Sequence, residues 1–358
     1  MYFVAIMELP NQNGIPVNLL AACFKNTSAT YKYYWFLSIL QSVEHGKFKI
    51  SKRDLFAGMI SKAWFTVNYF HVSFGKQDLI QDVVRAINGI EKISIEEKQE
   101  SVLHKLLSTK KAETDKQLWH FNKNVPHWFL SPWFPKFKNE TDSVREKRIY
   151  VESKSFSENC LYALYDNEIE INPEWEKYLI SNARVLKDFC YWNLCLFLQA
   201  KNPNVPDIPN KLIKPSFRGT LNKQRDEFWK HVFNYDGFVK CIFTDKKLYY
   251  AEKNFALDHF VPHAFVSHDL IWNLIPIEKR FNSSKSDKLP NLEKYIDKFF
   301  QLQKRAFEIN RRLNAKSKYM DEYQIIFPEL DDFSQNKLRD VIQPLITIAS
   351  NNGFEFMK

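Results

Sequence analysis

An acid and an imidazole stand side by side at Asp258-His259, closing the short apolar run Phe255-Ala256-Leu257. Pro262 follows, then a second apolar run, Trp272–Ile275, with Asn273 inside it, and then a polar, basic segment holding Asn282, Lys285 and Asp287. Two short strands and a helix, joined by one long loop, would bring Asp258, His259, Asn273 and Asn282 together. The chemistry these residue types suit is phosphodiester hydrolysis at a single metal ion. A phosphodiester repels a nucleophile and releases an alkoxide poorly, so it needs a base for water and a cation for the developing charge. A carboxylate and an amide oxygen are hard ligands, suited to Mg²⁺ or Mn²⁺ better than to Zn²⁺. Imidazole titrates close enough to neutrality to serve as the base. Adjacent side chains of a regular strand leave opposite faces, so Asp258 and His259 can serve one site only if a bulge or the end of the strand turns them inward.

The order Asp-His, then Asn, then Asn, with Asn-x-x-Lys-Ser-Asp-x-x-Pro running from Asn282 to Pro290, resembles the HNH endonucleases of ββα-metal fold. The spacing is nearest to the HNH nuclease domain of the RNA-guided CRISPR effectors, and the resemblance covers roughly residues 235–310. It implies that Asp258 and Asn282 are metal ligands, that His259 is the general base and that Asn273 is the orienting middle member of the motif. Arg280 and Lys285, with Lys279 and Lys288 beside them, are the candidate contacts to DNA phosphates. His263 and His268, in the loop, read as solvated rather than as further ligands. Many HNH proteins carry a zinc knuckle made of two C-x-x-C pairs. Here Cys241 has Thr244 where its partner would stand, and Glu278 and Phe281 take the second pair's places. No structural zinc is expected, and packing must hold the fold instead.

The wider composition fits this reading. At 358 residues the chain can hold two or three domains, and 45% hydrophobic with 26% charged residues is ordinary for a globular protein. The net charge is +9, of which residues 271–318 carry +7 from twelve Lys/Arg and five Asp/Glu. Such a patch beside a metal motif suits a polyanion. No apolar run is long enough to span a bilayer, and no secretory leader opens the chain, so a cytoplasmic protein is expected. The five cysteines are scattered and never spaced C-x-x-C, which reads as buried free thiols in a reducing compartment.

The remaining elements must position the motif or target it. Apolar residues at helical spacing from Leu19 to Leu107 predict an α-rich start, with capping boxes at Ser51/Asp54 and Ser94/Glu97 and Gly89 closing a helix. Lys110–Asn124 reads as a connection. Pro126–Phe129 and Pro132–Pro135 read as an aromatic loop that packs on its neighbours, with base stacking as the alternative. Arg148–Glu152, Leu161–Tyr165 and Glu168–Ile171 read as short strands. Asn172 and Pro173 open a helix running through Phe197. Asn202–Pro215, with four prolines, is expected to form no regular element.

These readings give an α+β, mostly helical chain. Residues 1–201 are an α-rich recognition or regulatory module with a small β-hairpin, and 202–215 are a Pro-rich linker. Residues 216–318 are a ββα-metal nuclease domain without zinc knuckle, and 319–358 are a helical tail. The expected function is Mg²⁺- or Mn²⁺-dependent cleavage of DNA in bacterial restriction or anti-phage defence. The alternatives are a mobile-element or homing nuclease, or a non-catalytic DNA-binding protein that keeps the fold. RNA stays open as a substrate, as does a homodimer or an operon-encoded partner protein. No membrane association is expected.

Overall fold

The computed structural model describes residues 8–25, 27–213 and 219–357. The chain is α+β and mostly helical, and it divides into two compact units, Met1–Pro203 with Ile208–Lys214 and Asn204–Asp207 with Pro215–Lys358. Residues 214–218, which include the end of the expected linker and the start of the expected nuclease domain, lie outside the described residues. Among the described residues, no helix is long and apolar enough to cross a membrane.

The first unit is built around two helices, Tyr31–Glu44 and Lys52–Asn68, each buried over most of its circumference. A helix apolar on most sides must be enclosed, and the helices that follow, from Ile80–Glu91 to Gln99–Ser108, supply the cover. Gly58 lets the central pair approach closely, because a Cβ there would stand 2.7 Å from Ser38 Oγ. Ser51 caps the second helix by accepting from the Asp54 amide. A three-stranded antiparallel sheet, ordered Lys49–Ser51, Glu168–Ile171, Tyr162–Leu164, completes the unit.

Several local expectations are corrected here. Arg148–Glu152 is the end of a helix, Asp142–Glu152, started by a Thr141 cap onto the Val144 amide. Its Arg148 is held by Glu140 and by Glu152 one turn on, a helical spacing. Lys110–Asn124 contains the helix Ala112–Trp119 and a further helical turn. Gly89 lies inside Ile80–Glu91, and Lys92 takes the left-handed capping conformation at φ 53°. Ser94 does not cap a helix at Glu97; the helix starts later, at Gln99. The helix opened by Asn172 breaks at Asn182 and resumes as Ala183–Lys201. The proline-rich stretch contains one regular piece, the helical turn Ile208–Lys211, where Pro209 sits early enough to need no amide partner. The aromatic segment after Pro126 packs, as expected, and does so within its own unit rather than forming a stacking platform. Phe129, Trp133 and Phe134 are buried, with Phe129 stacked on Phe36 at 5.7 Å and Trp133 edge-on to Trp175 at 5.9 Å.

Lys62 is enclosed in the central helix pair and donates to Gln41 Oε1. Burial, with Lys187 nearby, pulls its amine down to about 8 from 10.5. The unfolded chain therefore binds more protons than the folded one between those values, and this group makes stability rise with pH across that window. Lys52 is lowered to about 8 by the same cause, so replacing Lys62 removes only part of the slope. Urea unfolding of Lys62→Met is expected to show a stability advantage over wild type below about pH 8 that shrinks as pH climbs toward about 10.5.

The second unit opens with a helical run, Asn222 to Asp236, whose Arg225–Trp229 segment is π-helical. Gly237, at φ 77°, ends it. A small hairpin, Val239–Lys240 with Lys247–Leu248, comes next. Then come the two antiparallel strands Phe255–His259 and Leu274–Glu278 and the helix Lys279–Lys285, a ββα arrangement. The helix Leu292–Leu313 lies behind it, with Phe299 stacked on Phe260 at 4.0 Å. The tail belongs to this unit: Leu289, just after the site helix, exchanges backbone hydrogen bonds with Glu355 and Met357.

Two of the four positions compared with a zinc knuckle, Glu278 and Phe281, are tied to the segment after Cys241 by side chains of other residues. Lys246 Nζ lies 2.6 Å from Glu278 Oε1 and holds that carboxyl below its usual range. Phe243 stacks on Phe281 at 4.9 Å. Both contacts tie the small hairpin to the strand and helix carrying Asn282, which is the link a knuckle's metal makes. Zinc-built folds unravel when the metal is removed. Treating this protein with a strong chelator is expected to leave its melting temperature unchanged in a thermal scan.

Candidate nuclease site

The Phe255–His259 strand pairs with Leu274–Glu278 in unbroken register, from Phe255 opposite Glu278 to His259 opposite Leu274. No bulge intervenes, so the alternation of the strand is intact and His259 is its last residue. The contacts agree with two faces. Asp258 meets the site helix, where Lys285 Nζ stands 2.8 Å from Asp258 Oδ2. His259 meets the loop between the strands, where Asp269 Oδ1 lies 2.9 Å from His259 Nε2.

Lys285 is buried and donates to the carbonyl of His259 at 2.8 Å. Its approach to Asp258 is a charge contact without hydrogen-bond alignment, so Asp258 Oδ2 remains a buried oxygen with no hydrogen bond. The ammonium thus braces the strand end from beneath. Asn282 lies one helical turn before Lys285, on the same side of the helix, and is half-buried.

Asn273 is fully buried and grips the chain just past His259. Its Nδ2 donates to Val261 O and its Oδ1 accepts from Val261 N, both at 2.8 Å, while its backbone carbonyl accepts from Phe260 N. Every polar atom of its side chain is consumed by this clamp. Beyond Pro262, the turn His263–Val266 and Ser267, at φ 60°, reverse the chain and carry Asp269 back over His259. The loop's far end is pinned by Glu322, whose Oε2 accepts from Ile271 N at 2.6 Å and whose carboxyl is raised by burial.

Residues 241–291 match the family model of HNH endonucleases. The chain carries an HNH-family domain. No curated protein and no solved structure matches the chain.

Within the HNH domain Lys285 joins the Asp258 carboxylate to the His259 backbone carbonyl at the strand end, and Asn282 sits on the adjoining helix. The Asp258 and His259 side chains leave the strand on opposite faces, with no bulge to turn them inward together. Lys279 and Arg280 are exposed and Lys288 is half-buried. Lys285 is corrected from a surface cation to an internal one, because an ammonium committed to Asp258 and a buried carbonyl cannot also reach an outside phosphate. Asn273 is expected at the heart of the motif, but its side-chain amide is spent entirely on Val261. His259 is 1% exposed, far less than a base open to solvent would suggest. His263 packs edge-on to His259, with ring centroids 5.2 Å apart, and His268 packs on Trp272 at 5.3 Å, so neither loop histidine is simply solvated.

Two acids of the HNH domain's surroundings were not anticipated, Asp269 and Glu322. Asp269 had a signal: it is a carboxylate in the loop that returns to the motif, ten residues after His259. Glu322 had none, because nothing local tells which distant carboxylate will cap an amide in that loop. The weight of the Asn273 clamp is measurable. Asn273→Ala strands the N–H and C=O of buried Val261, each costing about 1–3 kcal/mol if left unanswered. A water entering the vacated space can answer one of them, so a loss of about 2 kcal/mol is expected in denaturant unfolding.

Proposed function

We propose that this protein is a divalent-metal-dependent endonuclease that hydrolyses DNA phosphodiester bonds, and that it serves bacterial restriction or anti-phage defence. The HNH-family domain implies nucleic-acid binding, and the observation that supports the finer reading is the Asp258 carboxylate in the matched segment, still 17% exposed although Lys285 stands against its Oδ2, at the strand end facing the Asn282 helix. One carboxylate oxygen and the amide oxygen of Asn282 form a sparse, hard donor set. That set fits Mg²⁺ or Mn²⁺, which keep several waters. Among the described residues no three His, Cys, Asp or Glu side chains gather as a soft or nitrogen-rich metal would need. When bound, the metal supplies a positive charge against the oxygens of the reacting phosphate.

The chain's own residues do the rest. His259 takes a proton from the attacking water. The resulting hydroxide forms a bond to phosphorus while the ester P–O bond breaks, and the departing alkoxide takes up a proton from solvent. Lys285 holds the carbonyl of His259 and Asn273 holds Val261 just past it, so that the imidazole does not drift as charge develops on it. Lys279, Arg280 and Lys288 face the phosphates of the strand, within a segment of net charge +7, and contribute affinity that weakens as salt rises. All five cysteines are free and buried, which suits the reducing cytoplasm.

The test is the full chain with supercoiled plasmid and Mg²⁺ or Mn²⁺. Metal-dependent nicking or linearisation that a chelator stops supports the reading. Retention of the plasmid on a gel with no cleavage in either metal overturns it in favour of a non-catalytic DNA-binding protein. Cleavage of RNA alone overturns the substrate.

A further inference from the structure

We propose that Asp269 is a positioning residue for His259, fixing the tautomer that leaves Nδ1 as the proton acceptor. The inference rests on the nuclease reading of the site and adds to it the group that orients the base. Asp269 Oδ1 lies 2.9 Å from His259 Nε2. A carboxylate at that distance can only accept, so the neutral imidazole must carry its proton on Nε2 and keep the lone pair on Nδ1. Among the described residues Nδ1 has no hydrogen-bond partner, and it is absent from the buried polar atoms left without one. The ring, though 1% exposed, therefore has one nitrogen held and the other left for water.

The surroundings hold Asp269 in place. Its carbonyl accepts from Gln224 Nε2 at 3.3 Å, and Glu322 pins the Ile271 amide two residues on. His263 Nε2 stands 4.0 Å from the same Oδ1, so one carboxylate faces two imidazoles. When a water proton moves to Nδ1, the imidazolium keeps its Nε2–H on Asp269, and the negative carboxylate offsets the new charge at the ring. Without it, the neutral ring divides between two tautomers, and only one can act.

The experiment uses the full chain with ¹⁵N-labelled histidine, with His259 assigned by its loss in His259→Asn. Ring-nitrogen spectra of the wild type are expected to show Nε2 as the protonated, pyrrole-type nitrogen. Asp269→Ala is expected to mix the two ring forms and to lower kcat about 100-fold with KM changed less than about 2-fold. Asp269→Glu is expected to recover part of both. An unchanged ring spectrum in Asp269→Ala, or cleavage by that variant at the wild-type rate, overturns the proposal. A loss of thermal stability in Asp269→Ala that Asp269→Glu restores, with neither variant altering the His259 ring spectrum, also overturns it and leaves a purely structural loop residue. A wild type that cuts nothing while its ring spectrum still depends on Asp269 overturns the nuclease reading and leaves the positioning contact standing.

Discussion

His259→Ala is expected to bind plasmid as the wild type does and to cut it about 10²–10⁴-fold more slowly. The side chain is buried behind Asp269 and His263, and its backbone carbonyl accepts from Lys285. The carbonyl survives in the alanine variant, and so does the ladder pair with Leu274. The lost groups are the ring and its lone pair, so the defect falls on kcat. Retention of the plasmid on a gel, at matched salt, reports binding by Lys279, Arg280 and the rest of the basic segment, which the substitution leaves alone. Matched retention with lost cutting separates a missing base from a missing surface. Cutting by His259→Ala at more than about a tenth of the wild-type rate would remove the imidazole from the mechanism.

The parts of the fold that could be read in advance are those written in local pattern. Leu292–Leu313 carries its own marks of a helix, a continuous apolar stripe and Asn291 at its start, which accepts from the Lys294 amide. The strand ending at His259 and the one starting after Asn273 stood out as apolar runs set apart by polar loops. Asn172 with Pro173 marked a helix start for reasons of backbone chemistry alone, and the Asn172 side chain does accept from the Glu174 amide. What local pattern misstates is the fate of residues whose partners lie far along the chain. Arg148–Glu152 alternates like a strand, but its cap at Thr141 lies outside that window. The aromatic segment from Pro126 to Pro135 reads as packing, and Trp133 and Phe134 are core, but which rings they meet could not be read locally. In the site the same limit governs Lys285 and Asp269. A lysine in a polar, basic stretch reads as exposed, and only the fold reveals that it turns inward to a carboxylate. An aspartate in a loop reads as solvated until the loop's return over His259 is known.

Lys285 therefore makes the strongest stability prediction. Its side chain is wholly buried and that of Asp258 is 17% exposed, with 2.8 Å between the charges. Removing one partner of such a pair leaves the other as a buried charge without compensation, a loss of about 3–5 kcal/mol in enclosed pairs. Some water reaches Asp258, so Lys285→Ala is expected near the lower end, about 3 kcal/mol, in denaturant unfolding without metal. Lys285→Met keeps most of the volume and isolates the charge. Combining it with Asp258→Asn is expected to regain most of the stability, because neither partner is then a stranded ion. The same charge contact bears on the metal. An ammonium beside Asp258 repels a second cation from that oxygen, so its loss is expected to tighten Mn²⁺ binding even as it weakens the metal-free fold. Mn²⁺ should then raise the melting temperature of Lys285→Met more than that of the wild type, since a ligand stabilises in proportion to the logarithm of its concentration over its dissociation constant. If Mn²⁺ stabilises the variant less than the wild type, Lys285 helps to hold the cation's surroundings, and Asp258 is not the oxygen for which the two positive charges compete.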